Sequence, residues 1–238
     1  MKSIIVDNRI SDSIEHSLLR LGFNILKIPS HPSLPMATAS HPDTLLFRLG
    51  EKVFTYADYA EYALPVLSDL REYYRRLSFI FVSETPTSVY PGDCGLNALR
   101  IGNKIYARMK SLAETVKKTA IKENAELKDV KQGYPACSVL KLTDKAAITS
   151  DRGMAKTLSE DGVEVLLIQE GYISLPPHQY GFIGGASFVY SNTVYFFGDL
   201  KSHPDNDKIL SFVEGLGLRA VSLGEGALLD LGGALVFE

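Results

Sequence analysis

LLFRLGEKVF, at residues 45–54, holds two apolar runs on either side of a polar turn at Gly50, the pattern of a β-hairpin. The pattern recurs as NALRIGNKIY (97–106), SVLKLTDKAAI (138–148), SFVYSNTVYF (187–196) and LLDLGGALVF (228–237). The turns at Gly50, Gly102, Thr143, Ser191 and Gly232 contain or adjoin Gly, Asn, Asp or Ser, which tolerate the positive φ that tight turns demand. They return about every 40 to 50 residues, the mark of an internal repeat.

A helical period follows the hairpins. Met109, Leu112, Ala113, Val116 and Ala120 share one apolar face, and so do Ile209, Phe212, Val213 and Leu216. In the first copy Pro65 interrupts the pattern, which predicts a helix beginning near Pro65 rather than at Tyr56. After each helix another apolar run follows, as in LSEDGVEVLLIQEG (158–171) and VEGLGLRAVSLGEG (213–226), with residues 126–130 as the weakest copy. The N-terminal SIIVDNRISDSIEHSLLRLGFNILKI (3–28) reads as strand, helix and strand with no hairpin before it. Asp12 and Glu15 are spaced as a capping box, and Gly22 is the stop. The C-terminus ends on a hairpin with no helix after it, so joining the two ends completes one more unit. Whether ALVFE or KSIIVDN supplies that unit's second strand is open at this level. The expected fold class is α/β: a five-fold pseudosymmetric α/β propeller of ββαβ units, closed by pairing of the N- and C-terminal segments, with residues 1–238 as one domain.

Composition narrows the function. A formal net charge of -3 gives no general attraction to nucleic acid or an anionic membrane. The Lys-rich stretch 104–131 reads as a solvated helix face. No apolar run is long enough for a bilayer, and MKSIIVDN lacks the pattern of a secretory signal, so a cytoplasmic location is expected. The two cysteines, Cys94 and Cys137, have no zinc-binding spacing and are too few for a disulfide framework, which leaves burial or chemistry as their roles. No phosphate-binding Gly loop and no metal-ligand cluster is evident, so no cofactor is expected. The expected partner is a small-molecule substrate, and the oligomeric state is not legible.

Five such units in a ring resemble the pentein fold of the guanidino-group-modifying enzymes, which use a Cys nucleophile, a His in an HxD motif, and carboxylates that grip a guanidinium. HPDTLLF (41–47) resembles the HxDT stretch, which implies His41 and Asp43 as catalytic residues. YPACSVL (134–140) resembles the nucleophile segment and implies Cys137, while GEGALLDLGGALVF (224–237) resembles the acidic EGGD strand and implies Glu225 as a substrate carboxylate. The order around the ring matches the family if the chain is circularly permuted. The second acid of the EGGD motif is absent, and GFIGGASF (181–188) has the glycines of such a motif without its acids.

Residues just before each first strand fall at equivalent positions, which would bring His41, Asp43, Asp93, Cys94, Tyr134, Cys137 and Glu225 toward one axis. In the implied scheme Cys137 is a thiolate that iodoacetamide modifies quickly at neutral pH, and His41, held by Asp43, is the acid and base. Asp93 and Glu225 bind the cationic group, with Cys94 and Tyr134 lining the pocket. Each also has an ordinary structural reading: small buried groups for the cysteines, turn residues for His41 and Asp93, a loop acid for Glu225. Asp151 reads as a helix N-cap, and the Pro- and Gly-rich 175–185 segment as a connection or lid that carries His178. A cysteine-dependent hydrolase or transferase is one functional expectation. A non-catalytic binding scaffold, like the ribosome anti-association factors of this fold, is the other.

Overall fold

The computed structural model describes residues 2–238. In chain order β1 (Lys2–Asp7), α1 (Asp12–Arg20) and β2 (Phe23–Ile28) are followed by the short helix α2 (Pro42–Leu45), β3 (Phe47–Leu49), β4 (Lys52–Tyr56), α3 (Ala60–Tyr73) and β5 (Ser78–Val82). Next come β6 (Leu99–Ile101), β7 (Lys104–Ala107), α4 (Glu114–Lys122), β8 (Glu126–Asp129), the short helix α5 (Pro135–Ser138), β9 (Val139–Lys141), β10 (Ala146–Thr149), α6 (Arg152–Glu160) and β11 (Glu164–Leu167). The chain ends with β12 (Ile173–Ser174), β13 (Ser187–Tyr190), β14 (Thr193–Phe196), α7 (Asn206–Gly215), β15 (Arg219–Ser222), β16 (Leu228–Leu229) and β17 (Leu235–Phe237). The result is a mixed α/β fold, and none of its described helices is long and apolar enough to cross a membrane.

Five three-stranded sheets share one plan, an antiparallel first strand and a parallel third strand flanking a middle one: β3-β4-β5, β6-β7-β8, β9-β10-β11, β13-β14-β15 and β17-β1-β2. Four are the repeats legible in the sequence, including the weak copy at β8. Their hairpins turn at Gly50 (φ 60°), Gly102 (φ 58°) and Ser191 (φ 55°), as the turn chemistry demands. The middle strands are buried on both sides, and all four residues of β10 and of β14 are buried, so these strands show no in-and-out alternation; Thr149 and Thr193 are the polar residues they bury.

The fifth sheet joins the chain ends: Ser3 pairs with Phe237 and Ile5 with Leu235. β17 is its first strand and KSIIVD its second, which answers the question the sequence left open. It also corrects the hairpin expected at 228–237. Gly232 and Gly233 both take left-handed φ and turn the chain away from β16, which pairs in parallel with β12 instead. Apolar clusters bridge successive units: Phe54 and Phe237 share one, Tyr106 and Met154 another, Ile148 and Phe196 a third, and Phe188 and Ile4 a fourth.

Local expectations shift in three places. Helix α3 starts at Ala60 and contains Pro65; both Pro65 and Glu61, whose carbonyl the proline leaves without its helical donor, lie on the exposed face, where the helix tolerates the lost bond. Helix α4 begins at Glu114, whose N–H is taken by the Glu84 carboxylate, while Met109 and Leu112 sit in the preceding turn. The N-cap of α1 is Ser11, which accepts from Ile14, and Glu15 instead pairs with Lys27. Asp151 caps α6 as expected.

Candidate active site

Two short helices, each with Pro at its first position, precede first strands and set the central side chains. In α5 the preorganised φ of Pro135 starts a single turn, the Ala136 N–H is held by the Asn97 side chain, and Cys137 is left buried at its inner side. In α2 Pro42 does the same after His41, whose carbonyl accepts from Leu45. Facing them is the 230–233 segment, where Leu231 and Gly233 donate to Gly185 and Gly185 donates to Cys137.

Cys137 Sγ lies 3.3 Å from both carboxylate oxygens of Asp230 and donates to them. Asp230 is held in turn by the backbone N–H groups of Phe182 (2.8 Å) and Gly232 (3.1 Å). His41 stands between two acids, with Nδ1 3.8 Å from Asp230 and Nε2 3.8 Å from Asp7. Both of its ring nitrogens are buried without a hydrogen bond, ready for a ligand or for closer approach to either acid. Two glycines permit this packing: a Cβ on Gly185 would lie 1.9 Å from Asp230 Oδ1, and one on Gly232 would lie 2.3 Å from the His41 Cβ. His41, Cys137 and Asp230 are also the one described group spaced to share a metal ion, with donor atoms within 4.8 Å of one another. Its thiol already donates to the carboxylate, an arrangement of nucleophile and proton acceptor.

The electrostatics differ from the sequence-based scheme. Burial, followed by the charges of Asp230 and Asp43, pushes the Cys137 thiol well above its ordinary range. The resting cysteine is therefore a protonated thiol, not the thiolate expected from the resemblance. Burial also lifts the carboxyl of Asp43 to about 6, and nearby Asp230 adds to the rise. No hydrogen bond joins Asp43 to His41, although the nearby imidazole opposes the rise; Asp43 accepts from Thr44, while Asp7 and Asp230 flank the imidazole. Burial raises Asp7 too, but its bonds from Arg9 (2.9 and 2.5 Å) outweigh that and leave it below the usual carboxylate range.

Asp7, paired with Arg9, is the acid that faces His41 Nε2. Arg9→Ala removes the charge partner of a carboxylate that is 0% exposed and leaves it the Ser40 hydroxyl and the backbone N–H of residue 9, and a loss of about 2–4 kcal/mol is expected in urea unfolding. Because the folded-state value of Asp7 is depressed, the contribution of the pair is present above the unfolded value near 4 and fades as pH falls through the folded one. The difference between wild type and variant should therefore shrink in acid; an equal difference at pH 7 and pH 2 would contradict it.

A cavity of about 500 Å³ opens onto this cluster, and its wall includes His41, Cys137, Asp230, Asp93 and Tyr134. Tyr134 donates to Asp93 at 2.5 Å, and Cys94 lies behind at 3.5 Å from the same acid. Burial, then Asp93, raises the Cys94 thiol and the Tyr134 hydroxyl, so both stay protonated. His178, in the 175–185 segment, is also in the wall. Six of the seven residues singled out from sequence thus gather at or beside one cavity. Glu225 does not: it is exposed in a turn outside the lining. Asp230 stands where Glu225 was expected, because the strand that follows the site is β17 rather than β16. Asp230 and Asp7 were missed; the crowded glycines of GFIGG were the available signal for a close approach there.

A model of a family of unknown function, DUF6873, matches residues 5–235. No curated protein matches the chain significantly. Among solved structures, DDAH from Pseudomonas aeruginosa, a C249S mutant complexed with citrulline, is similar with a TM-score of 0.63 at 10% identity, over 99% of this chain and 98% of the other. The inosamine-phosphate amidinotransferase of Streptomyces griseus gives 0.57 at 13% identity, over 93% and 88%. The agmatine deiminase of C. jejuni gives 0.56 at 10% identity, over 93% and 87%. The fold is that of the pentein superfamily to which these enzymes belong.

Proposed function

The chain belongs to the family of unknown function DUF6873, and from that premise and its pentein fold we propose a cysteine-dependent hydrolase or transferase acting on a small guanidino or amidino compound. In this reading residues 1–238 form one domain, with the five sheets closed into a five-fold propeller around the cavity, and the protein works in the cytoplasm. The observation that carries the proposal is the contact of Cys137 with Asp230 beside His41, on the wall of a cavity lined by acids and aromatic rings.

A cationic substrate resolves the difficulty of the protonated thiol. Its charge, placed between Asp230 and Asp93, offsets the acids that hold the thiol proton in place, so binding itself promotes ionisation. The Cys137 proton passes to Asp230 and the sulfur attacks the amidinium carbon, whose C=N pair moves onto nitrogen. His41 gives a proton to the departing amine as the C–N bond breaks and leaves an S-linked thiouronium. His41 then takes a proton from water, or from an acceptor amine, which attacks the same carbon. The C–S bond breaks, and the thiolate recovers its proton from Asp230. Tyr134 and Asp93 hold the cation on the other side.

The deep burial of Cys137 favours a second reading, a binding scaffold for a protein or ribonucleoprotein. Labelling separates the two. For the enzyme, 2-chloroacetamidine, a cationic haloamidine, should modify Cys137 at neutral pH at least about tenfold faster than the neutral iodoacetamide. The scaffold predicts slow labelling by both with no preference for charge, which would remove the catalytic proposal.

A further inference from the structure

Resting on the guanidinium reading above, we infer that the substrate carries no carboxylate: it is a guanidinium or amidinium on an apolar stem, not a free α-amino acid. The inner wall holds two acids, Asp93 and Asp230, and the outer wall is built by neutral groups, among them Thr38, Ser88, Tyr90, Leu175, Gln179 and Tyr180. No lysine or arginine lines the cavity among the described residues. Of the guanidinium groups around it, Arg152 lines the adjoining cavity on the far side of Tyr180 and Phe182, and Arg9 and Arg108 are already engaged. Arg9 is bound to Asp7 and to the carbonyls of Met36 and Ala37. Arg108 donates to Ser111 and stands 5.8 Å from the ring centroid of Tyr90, which itself lines the cavity.

A carboxylate entering this cavity would leave water for a wall whose only basic side chains are the imidazoles of His178 and of His41, the latter already flanked by Asp7 and Asp230, and would meet the field of two acids. An apolar stem meets the opposite conditions. Met36 (87% exposed), Val89 (72%) and Tyr90 (50%) stand at or beside the lining residues Pro35, Ser88 and Tyr90, an apolar rim on two loops of an otherwise polar mouth. Burying such a stem against these side chains favours binding, and the tyrosine faces attract the cationic head.

The test is calorimetric titration of the Cys137→Ser protein, which retains the cavity without turnover, with n-butylguanidine, agmatine and L-arginine; the last two differ by the carboxylate alone. Both carboxylate-free compounds should bind at least about tenfold more tightly than L-arginine, and His178→Gln should leave that ratio unchanged. Arginine binding as tightly as agmatine, or a ratio that changes with His178→Gln, overturns the inference and leaves the guanidinium reading standing. Binding by none of the three overturns both.

Discussion

Cys137→Ala is expected to lower turnover of a guanidino or amidino substrate by at least about a thousandfold, because no other group in the cavity can form the covalent intermediate. Cys94 cannot replace it: its sulfur lies against Asp93, behind the wall, and burial followed by that carboxylate keeps its thiol protonated. The fold should survive. The substitution removes one small buried sulfur, and Asp230 keeps its bonds from Phe182 and Gly232, so a stability change of about 1 kcal/mol is expected. The measurement pairs steady-state rates with thermal unfolding for Cys137→Ala and for Cys94→Ala, which should keep its rate within a fewfold. A Cys137→Ala protein that is folded and fully active would end the case for covalent catalysis.

Asp230→Asn should move two observables in opposite directions. Asp230 follows burial as the second cause that holds the Cys137 thiol up, so removing its charge lowers the thiol and moves the pH profile of iodoacetamide labelling to lower pH. The same change removes the proton acceptor and one side of the cation site, so kcat/KM should fall by about a hundredfold or more. Asparagine also presents an N–H₂ where the carboxylate accepted from two backbone N–H groups, which costs about 1–2 kcal/mol of stability. A misfolded cavity would also expose the thiol and speed its labelling, so thermal unfolding of the variant is measured beside the two rates. In a variant that keeps its cooperative unfolding, faster labelling with slower turnover identifies a carboxylate that both restrains the nucleophile and serves it.

How far sequence reached is clear from individual residues. Gly50, Gly102 and Ser191 announce their hairpins because the φ that a turn needs is a property of a few adjacent residues. Residues 228–237 resembled those hairpins equally well, yet their first run pairs with β12 and their second with β1. Nothing within the segment specifies partners so distant in the chain. That one misplaced pairing carried the site assignment with it, placing the acid at Glu225 instead of Asp230. Asp43, adjacent in sequence to the histidine segment, was read as its support, whereas Asp7 and Asp230 approach the imidazole from other elements.

The sequence by itself determined the units, the joining of the chain ends, and the gathering of His41, Cys137, Asp93 and Tyr134 near one cavity. Each of these follows from periodicity, turn chemistry or equivalence between repeats, all carried by short stretches of chain. Only the tertiary structure decided that Asp230 is the acid against the thiol, that Asp7 flanks the histidine, and that the resting sulfur keeps its proton. Those depend on desolvation and on distances of a few ångströms between side chains from separate units, and such energies exist only once the chain has packed.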